Sequence, residues 1–272
     1  MRIRIIFKLR NKGATLPFQH QHLLLNLVEN TLKDKFSNFK EKVLWSFSGL
    51  KGQTKVGRLG LSYLSSRVTL VVSSHSQLFI DNFIDAVFKN TLLEIGEVIL
   101  TPEFVEQEVS ATFKTSEKYL CLSPLVPSTT MTVDNADNLL LPEILSDMLY
   151  DSTMQRMEKS GLYSAAEIEK FYQFQLVPDK TYLQKINEVE KKAARSYNLY
   201  ENREISQEII GYTFPFELYA HPIVQDFIFN CGFGEFTNLG YGMIDRVNNG
   251  ASTKIIPYKT AYLETLIAKP NY

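Results

Sequence analysis

The sequence predicts an α+β protein built from two β-α-β-β-α-β units in tandem, and three observations predict it. Short alternating strands rich in β-branched residues recur along the chain, two amphipathic helices separate those of the first half, and a second strand-and-helix series begins near Lys118. Arg2–Leu9 alternates and is rich in Ile, so it reads as the first strand. From His20 to about Lys35, Leu23, Leu24, Leu25, Leu27, Val28 and Leu32 follow a helical spacing. Residues 43–50 (VLWSFSGL) and 67–74 (RVTLVVSS) are the next strands, and the glycine-rich, basic stretch 50–60 between them reads as a hairpin loop. Residues 76–90 form the second helix, with Phe79, Ile80, Phe83, Ile84, Val87 and Phe88 on its apolar face, and residues 97–109 the fourth strand. Two helices over one face of a four-stranded antiparallel sheet is the ferredoxin-like pattern.

The second half is less regular. Residues 119–125 (YLCLSPL) read as a strand, 141–160 as a helix, 171–177 as a strand, 209–219 as a strand despite Pro215, 222–230 as a short helix and 241–247 as the last strand. The charged stretch 188–198 fits no element clearly: Lys191, Lys192 and Arg195 suit a helix, and Glu188 and Glu190 beside them suit an ordinary mixed-charge surface. The expected division is a first domain over 1–116, a second over 117–249 and an extension over 250–272.

Composition excludes several classes. The chain has 272 residues, 44% hydrophobic and 22% charged, enough for a real core. No apolar run is long enough to span a bilayer, and the N-terminus lacks the pattern of a signal peptide. Cys121 and Cys231 imply neither a disulfide framework nor a metal site. A cytoplasmic setting is expected. Net charge is −1, but its distribution is uneven: residues 1–58 hold 12 Lys/Arg against 3 Asp/Glu, and the remainder 17 against 27. A basic N-terminal segment suits a polyanion, and a solvated surface with scattered lysines suits the count equally well.

The most specific motif is the stretch 232–242 (GFGEFTNLGYG), with Gly232, Gly234, Gly240 and Gly242 flanking a short polar run that includes Asn238. Glycine lets a backbone approach phosphate and present its N–H groups. Here a helix precedes and a strand follows, the reverse of the dinucleotide fingerprint. Glycine count alone fits a hairpin without a ligand at least as well.

This segment resembles the C-terminal glycine-rich signature of the RAMP superfamily, closest to the CRISPR precursor-RNA endoribonucleases, the Cas-six family. Leu16-Pro17-Phe18-Gln19-His20-Gln21-His22 resembles that family's Leu-Pro-aromatic entry into its first helix, and Leu122-Ser123-Pro124 its Leu-Ser-Pro strand. The resemblance spans residues 1 to about 247. It implies tandem ferredoxin-like domains that bind CRISPR repeat RNA and cut it without a metal or cofactor, a 2′-hydroxyl attacking the adjacent phosphate to leave a 2′,3′-cyclic phosphate and a 5′-hydroxyl. Many members carry a histidine just before the second strand, but this chain has FSNFKEKVLW there.

Candidates for the chemistry follow from the remaining residues. On a helix starting near His20, that residue clusters with Leu24, Leu27 and Val28, whereas His22 points outward with Asn26, Glu29 and Lys33. Glu29 occupies a position resembling the family's helix tyrosine. His22 is therefore the candidate general acid or base, or else an ordinary exposed histidine, with His20 as a packing or capping residue; if the helix starts later, both point the same way and either could act. Lys51 is the candidate cation for the scissile phosphate, and Lys55, Arg58 and the glycine loop the candidate RNA contacts. Phe18 and Tyr241 are candidates for stacking on bases, though a core or surface role suits each better. His75 and His221 read as structural. The expected partner is CRISPR repeat RNA, precursor and mature guide alike, with no membrane. Two alternatives stay open: a catalytically silent repeat-binding protein or effector-complex subunit, and an unrelated α+β protein whose glycine loop takes a small phosphate ligand.

Overall fold

A computed structural model describes residues 1–40, 43–110, 112–127, 142–201, 204–247, 253–260 and 262–264. The first half runs β1 (Arg2–Leu9), β2 (Thr15–Leu16), α1 (Gln21–Leu32), α2 (Phe36–Lys40), β3 (Trp45–Phe47), β4 (Thr54–Val56), β5 (Leu61–Tyr63), β6 (Arg67–Ser74), α3 (Gln77–Phe88), β7 (Leu93–Ile95) and β8 (Val98–Ser110). The second runs β9 (Ser116–Cys121), α4 (Pro142–Ser160), α5 (Ala165–Ile168), β10 (Phe174–Pro178), α6 (Lys180–Glu188), β11 (Ala194–Glu201), β12 (Glu204–Tyr212), β13 (Phe216–Ala220), α7 (Pro222–Cys231) and β14 (Ile244–Arg246), after which β15 (Thr253–Pro257) returns to the first sheet.

The first sheet has the order β15-β8-β1-β6-β3, with β7 also paired to β8, and all its pairings are antiparallel. Its β8-β1-β6-β3 portion is the expected ferredoxin-like arrangement. Period-two alternation decides which face is dry: Ile3, Ile5 and Phe7 of β1 are fully buried beneath Leu24 and Val28 of α1 and Phe79, Ile80, Phe83 and Ile84 of α3. Truncating a fully buried phenylalanine such as Phe83 to alanine costs about 3–5 kcal/mol. Ser76 caps α3 by accepting a hydrogen bond from the Phe79 amide at 3.2 Å.

The second sheet has the order β10-β13-β9-β14, again antiparallel and again ferredoxin-like, so the tandem architecture holds. Leu145, Leu149 and Met157 of α4 and Val224, Phe227 and Ile228 of α7 fill its core against Tyr119, Leu176 and Leu218. Between its second and third strands the chain inserts α6 and the β11–β12 ribbon.

Several expectations change. The stretch 50–60 is not a bare loop: it carries β4 and leads into β5, which pair with each other and with β2. The strand expected over 43–50 is regular only over Trp45–Phe47. The single strand expected over 209–219 is two, split by Thr213, Phe214 and Pro215, because β12 turns away to pair with β11 while β13 joins the second sheet. Lys191, Lys192 and Arg195 do not share a helix. Asp179 caps α6 early, the helix ends at Glu188, Glu190 adopts a positive φ of 53°, and Arg195 lies on β11. Leu141, expected to open the long helix, and most of the tail beyond residue 257 lie outside the described residues. No helix among the described residues is long and apolar enough to cross a membrane.

Candidate functional site

The site is assembled where α1 begins. Pro17 ends β2, and Gln19 then ties this entry segment to the inserted ribbon. Its amide nitrogen donates to the Ser196 carbonyl at 3.0 Å, and its amide oxygen accepts from the Asn198 N–H at 3.0 Å. Gln19 thus bonds to β11 much as a strand would, which fixes the ribbon beside the helix start.

His20 occupies the N-cap of α1 without bonding to the helix amides. Its Nδ1 lies 2.9 Å from the Pro17 carbonyl. A carbonyl only accepts, so Nδ1 carries the proton and Nε2 is left as an acceptor. Nε2 is buried and has no partner among the described residues. A Cβ at Gly49 would come within 3.3 Å of it, so the ring packs directly on that glycine. Burial pushes the His20 pKa down, opposed by its hydrogen bonds to the Pro17 and Phe18 backbone.

His22, two residues further on, faces a different side and is half-buried rather than fully outward. Its ring rests on Tyr200 of β11, with centroids 4.2 Å apart and planes tilted by 31°. Burial and then the charge of His20 lower its pKa, against a hydrogen bond to the Gln19 backbone. A lowered imidazole pKa leaves the ring neutral at pH 7, able to take a proton from a hydroxyl.

Lys51 belongs to a different cluster. Its ammonium lies 4.0 Å from the Asp245 carboxylate, beside the face of the first sheet opposite α1 and α3. There Arg2, almost fully buried, pairs with Glu108 at 2.6 Å and Asp245 at 3.2 Å and donates to the Ile244 carbonyl at 2.5 Å. Arg4 lies 3.7 Å from Glu108. Burial is the largest influence on Lys51 and lowers its pKa. Lys55 and Arg58 are exposed, one on β4 and the other in the turn before β5. Val56 and Leu59 beside them are also exposed.

The glycine loop packs against both halves. Gly232, Gly234, Gly240 and Gly242 are all buried and have φ of 83°, 83°, 92° and 67°. A Cβ on Gly240 would sit 2.7 Å from the Phe47 ring and 3.2 Å from Gln21, the residue between the two histidines. A Cβ on Gly234 would lie 2.3 Å from the Val126 carbonyl oxygen, and one on Gly242 2.0 Å from that of Phe233. Asn238 is half-buried in the 3-10 turn Thr237–Leu239. Tyr241 is buried against Tyr197, whereas Phe18 is 48% exposed. Arg156 of α4 closes the far side of the loop: its guanidinium donates to the carbonyls of Cys231 (2.5 Å), Gly232 (2.8 Å) and Gly234 (3.1 Å) and to the Thr237 hydroxyl (3.1 Å).

The structure therefore joins His20, His22 and Gly240 around the start of α1. It sets Lys51 with Asp245 and leaves Lys55 and Arg58 on the exposed β4–β5 ribbon. Sequence reasoning missed Gln19, Tyr200 and Arg156. His221 caps α7 by accepting from the Ile223 amide at 3.2 Å, and His75 contacts the Leu44 carbonyl at 3.1 Å, both structural roles. Among the described residues no group of three or more His, Cys, Asp or Glu could hold a metal ion.

Two ferredoxin-like sheets, a glycine-rich loop packed between them and two histidines at the first helix define the fold and its candidate site. The chain belongs to the Cas6 family: the family model "CRISPR associated protein Cas6, C-terminal" matches residues 105–246. It is 22% identical over 259 residues to the CRISPR-associated endoribonuclease Cas6 1 of Methanocaldococcus jannaschii, covering 91% of this chain and 94% of that protein. Among solved structures it is similar to a Cas6-related protein of Pyrococcus furiosus, with TM-score 0.72, 20% identity and coverage of 92% of this chain and 99% of that one. It is also similar to a RAMP protein described as binding different RNA substrates, with TM-score 0.71, 19% identity and coverage of 91% and 100%.

Proposed function

We propose that this chain binds CRISPR repeat RNA and cleaves it without a metal. The 2′-hydroxyl of one nucleotide gives up its proton and attacks the adjacent phosphorus. The P–O5′ bond breaks as the O2′–P bond forms, and the departing 5′-oxygen takes a proton, leaving a 2′,3′-cyclic phosphate and a 5′-hydroxyl. His22 moves one of these protons. The observation that carries this reading is the setting of His22: an imidazole held neutral by burial, half-open to solvent, and braced on Tyr200. General acid–base groups act best with a pKa near the working pH, and a base must be unprotonated there. Lys51, 40% exposed, supplies a cation that phosphate draws away from Asp245. Lys55 and Arg58 meet the RNA backbone from the exposed ribbon. Family membership supports the same class of activity.

Labelled repeat RNA incubated with the purified protein in EDTA tests this. Cleavage that persists and leaves a cyclic phosphate supports it, and cleavage that stops in EDTA overturns the metal-free mechanism. A second reading, a repeat-binding protein without cleavage, is favoured by one observation: residues 36–45 contain no histidine where the family resemblance leads one to expect it. Tight binding with no cutting in a single-turnover assay selects that reading.

A further inference from the structure

We propose that Arg156 is a positioning residue for RNA cleavage, holding the glycine loop against the start of α1 from behind. The inference rests on the function proposed above. Three features of the site carry it.

The first is directional. One guanidinium reaches three successive regions of the loop backbone, at Cys231, Gly232 and Gly234, and also the Thr237 side chain. In a peptide unit the N–H points away from the C=O, so carbonyls drawn toward Arg156 aim the following amides at the opposite side. Those amides are committed there: Phe233 N–H to the Gly242 carbonyl at 2.8 Å, and Glu235 N–H to the Val126 carbonyl at 2.7 Å. The fork and these two bonds together fix the loop from both sides.

The second is the cost of the arrangement. Arg156 forms no ion pair among the described residues, and its acceptors are neutral oxygens. Its guanidinium lies over the Phe227 ring at 5.6 Å. A half-buried cation with no carboxylate in ion-pair range, on which Glu235 acts only from further off, is costly, and a methionine of similar length would fill the space without that penalty. What only a guanidinium supplies is a rigid planar set of donors that pins several acceptors in fixed directions.

The third is where the loop leads. Its front side meets Ser46 through Gly232, Phe47 through Gly240, and Gln21 through Gly240. Gln21 lies between His20 and His22. Arg156 is therefore linked to the histidine pair through the loop, and a shift of the loop moves the start of α1. Misplacement of reacting groups by about 1 Å can cost on the order of 10²-fold in rate.

Arg156→Lys and Arg156→Met test this, with labelled repeat RNA from the host's own arrays as the probe. Each variant is assayed well below its own Tm, so that a loss of stability alone leaves the protein folded. We expect the single-turnover rate at saturating RNA to fall about tenfold or more in both. Amide exchange should speed up in residues 232–242 and stay unchanged in β1 and β6. A residue that serves only stability would lower Tm and leave the saturated rate and the loop exchange alone. Rates within twofold of wild type in a folded variant overturn the proposal. If Arg156→Met does not fold, Arg156→Lys decides, and if neither folds, Arg156 is a stability residue and the proposal falls. Should wild type bind repeat RNA without cutting it, cleavage fails as a function, and Arg156 is then judged by a tenfold weaker Kd with the same local exchange. Wild type that neither binds nor cuts overturns both.

Discussion

Two glycine-bearing segments, 49–60 and 232–242, look alike in sequence and are used in opposite ways. In the first, Gly52 and Gly57 lie on an exposed ribbon, and a Cβ on Gly57 would meet nothing closer than 3.7 Å. Gly52 and Gly60 are the exceptions, where a Cβ would sit 2.7 Å from the Ser65 hydroxyl and 1.9 Å from the Leu16 carbonyl. In the second, all four glycines have positive φ and all four would drive a Cβ into neighbouring atoms. The ribbon uses glycine to turn. The loop uses it so that the chain can approach its own backbone. Glycine density alone does not distinguish a ligand cradle from a close-packed seam, and here the seam brings the histidine helix against the second half.

The largest effect should follow substitution in the seam. Gly242→Ala and Gly234→Asp should each destabilise the fold by about 3 kcal/mol or more, from strain at positive φ combined with backbone collision. Thermal unfolding measures this, and a wild-type Tm in either would break the contrast between the segments. By the same reasoning, Gly57→Ala on the ribbon should leave Tm nearly unchanged.

Next comes the helix between the two segments. His22→Ala should slow cleavage about 10²-fold at saturating RNA, the usual size of a lost general acid–base group, with little change in Kd. Because the His22 pKa is lowered, wild-type cleavage that uses its neutral form should hold level down to about pH 6.5, the ordinary imidazole value, and fall only below it. A rate–pH profile falling from above neutrality would count against His22 as the base.

A smaller effect belongs to the ribbon. Replacing Lys51, Lys55 and Arg58 together with alanine should weaken repeat RNA binding and flatten the plot of log Kd against log salt. The slope should drop by about 0.7 for each single-strand phosphate that these cations neutralise in the wild type. Tm should hardly move. An unchanged slope means that these side chains do not touch phosphate.

The smallest effect is on stability through His20. Its folded pKa lies below the unfolded value near 6.5, so the unfolded chain binds more protons as pH falls. His20 therefore contributes stability above about pH 6.5 and loses it as pH drops toward the folded pKa. Replacing His20 with Gln should flatten the fall in Tm between about pH 7 and 5. A fall as steep as in wild type would place the acid sensitivity elsewhere.

What the sequence made legible follows from how strongly each element is patterned. β1, β6, α1 and α3 carry long alternations or apolar stripes, and their positions match closely. β2, β4 and β5 have two or three residues each, held by cross-strand pairs such as Leu16 with Leu61, and such short polar strands leave no periodic trace. Residues 209–219 alternate straight through Pro215, so nothing local shows that β12 and β13 join different sheets. The site divides in the same way. Helical geometry separates His20 from His22, because the angle between them is a local property. Tyr200 and the Gln19 bonds to β11 join residues almost 180 positions apart. Arg156 lies one turn from buried Ser152 and Thr153, whose polar side chains leave no apolar stripe to mark that face, and only the folded loop gives its charge a purpose.

The last strand has a consequence for the order of synthesis. β8 is 13 residues long, and β1 covers one of its edges. The other edge is closed by β7 over Val98–Leu100 and by β15 from Glu106 to Ser110. During translation β7 arrives first, but β15 emerges only after the whole second sheet has been made. Through that interval a row of backbone donors and acceptors on β8 stays open, the kind of edge that recruits a stray strand. Slow elongation across the second half would lengthen the exposure, so the yield of correctly folded protein should depend on how fast the ribosome reaches residue 257.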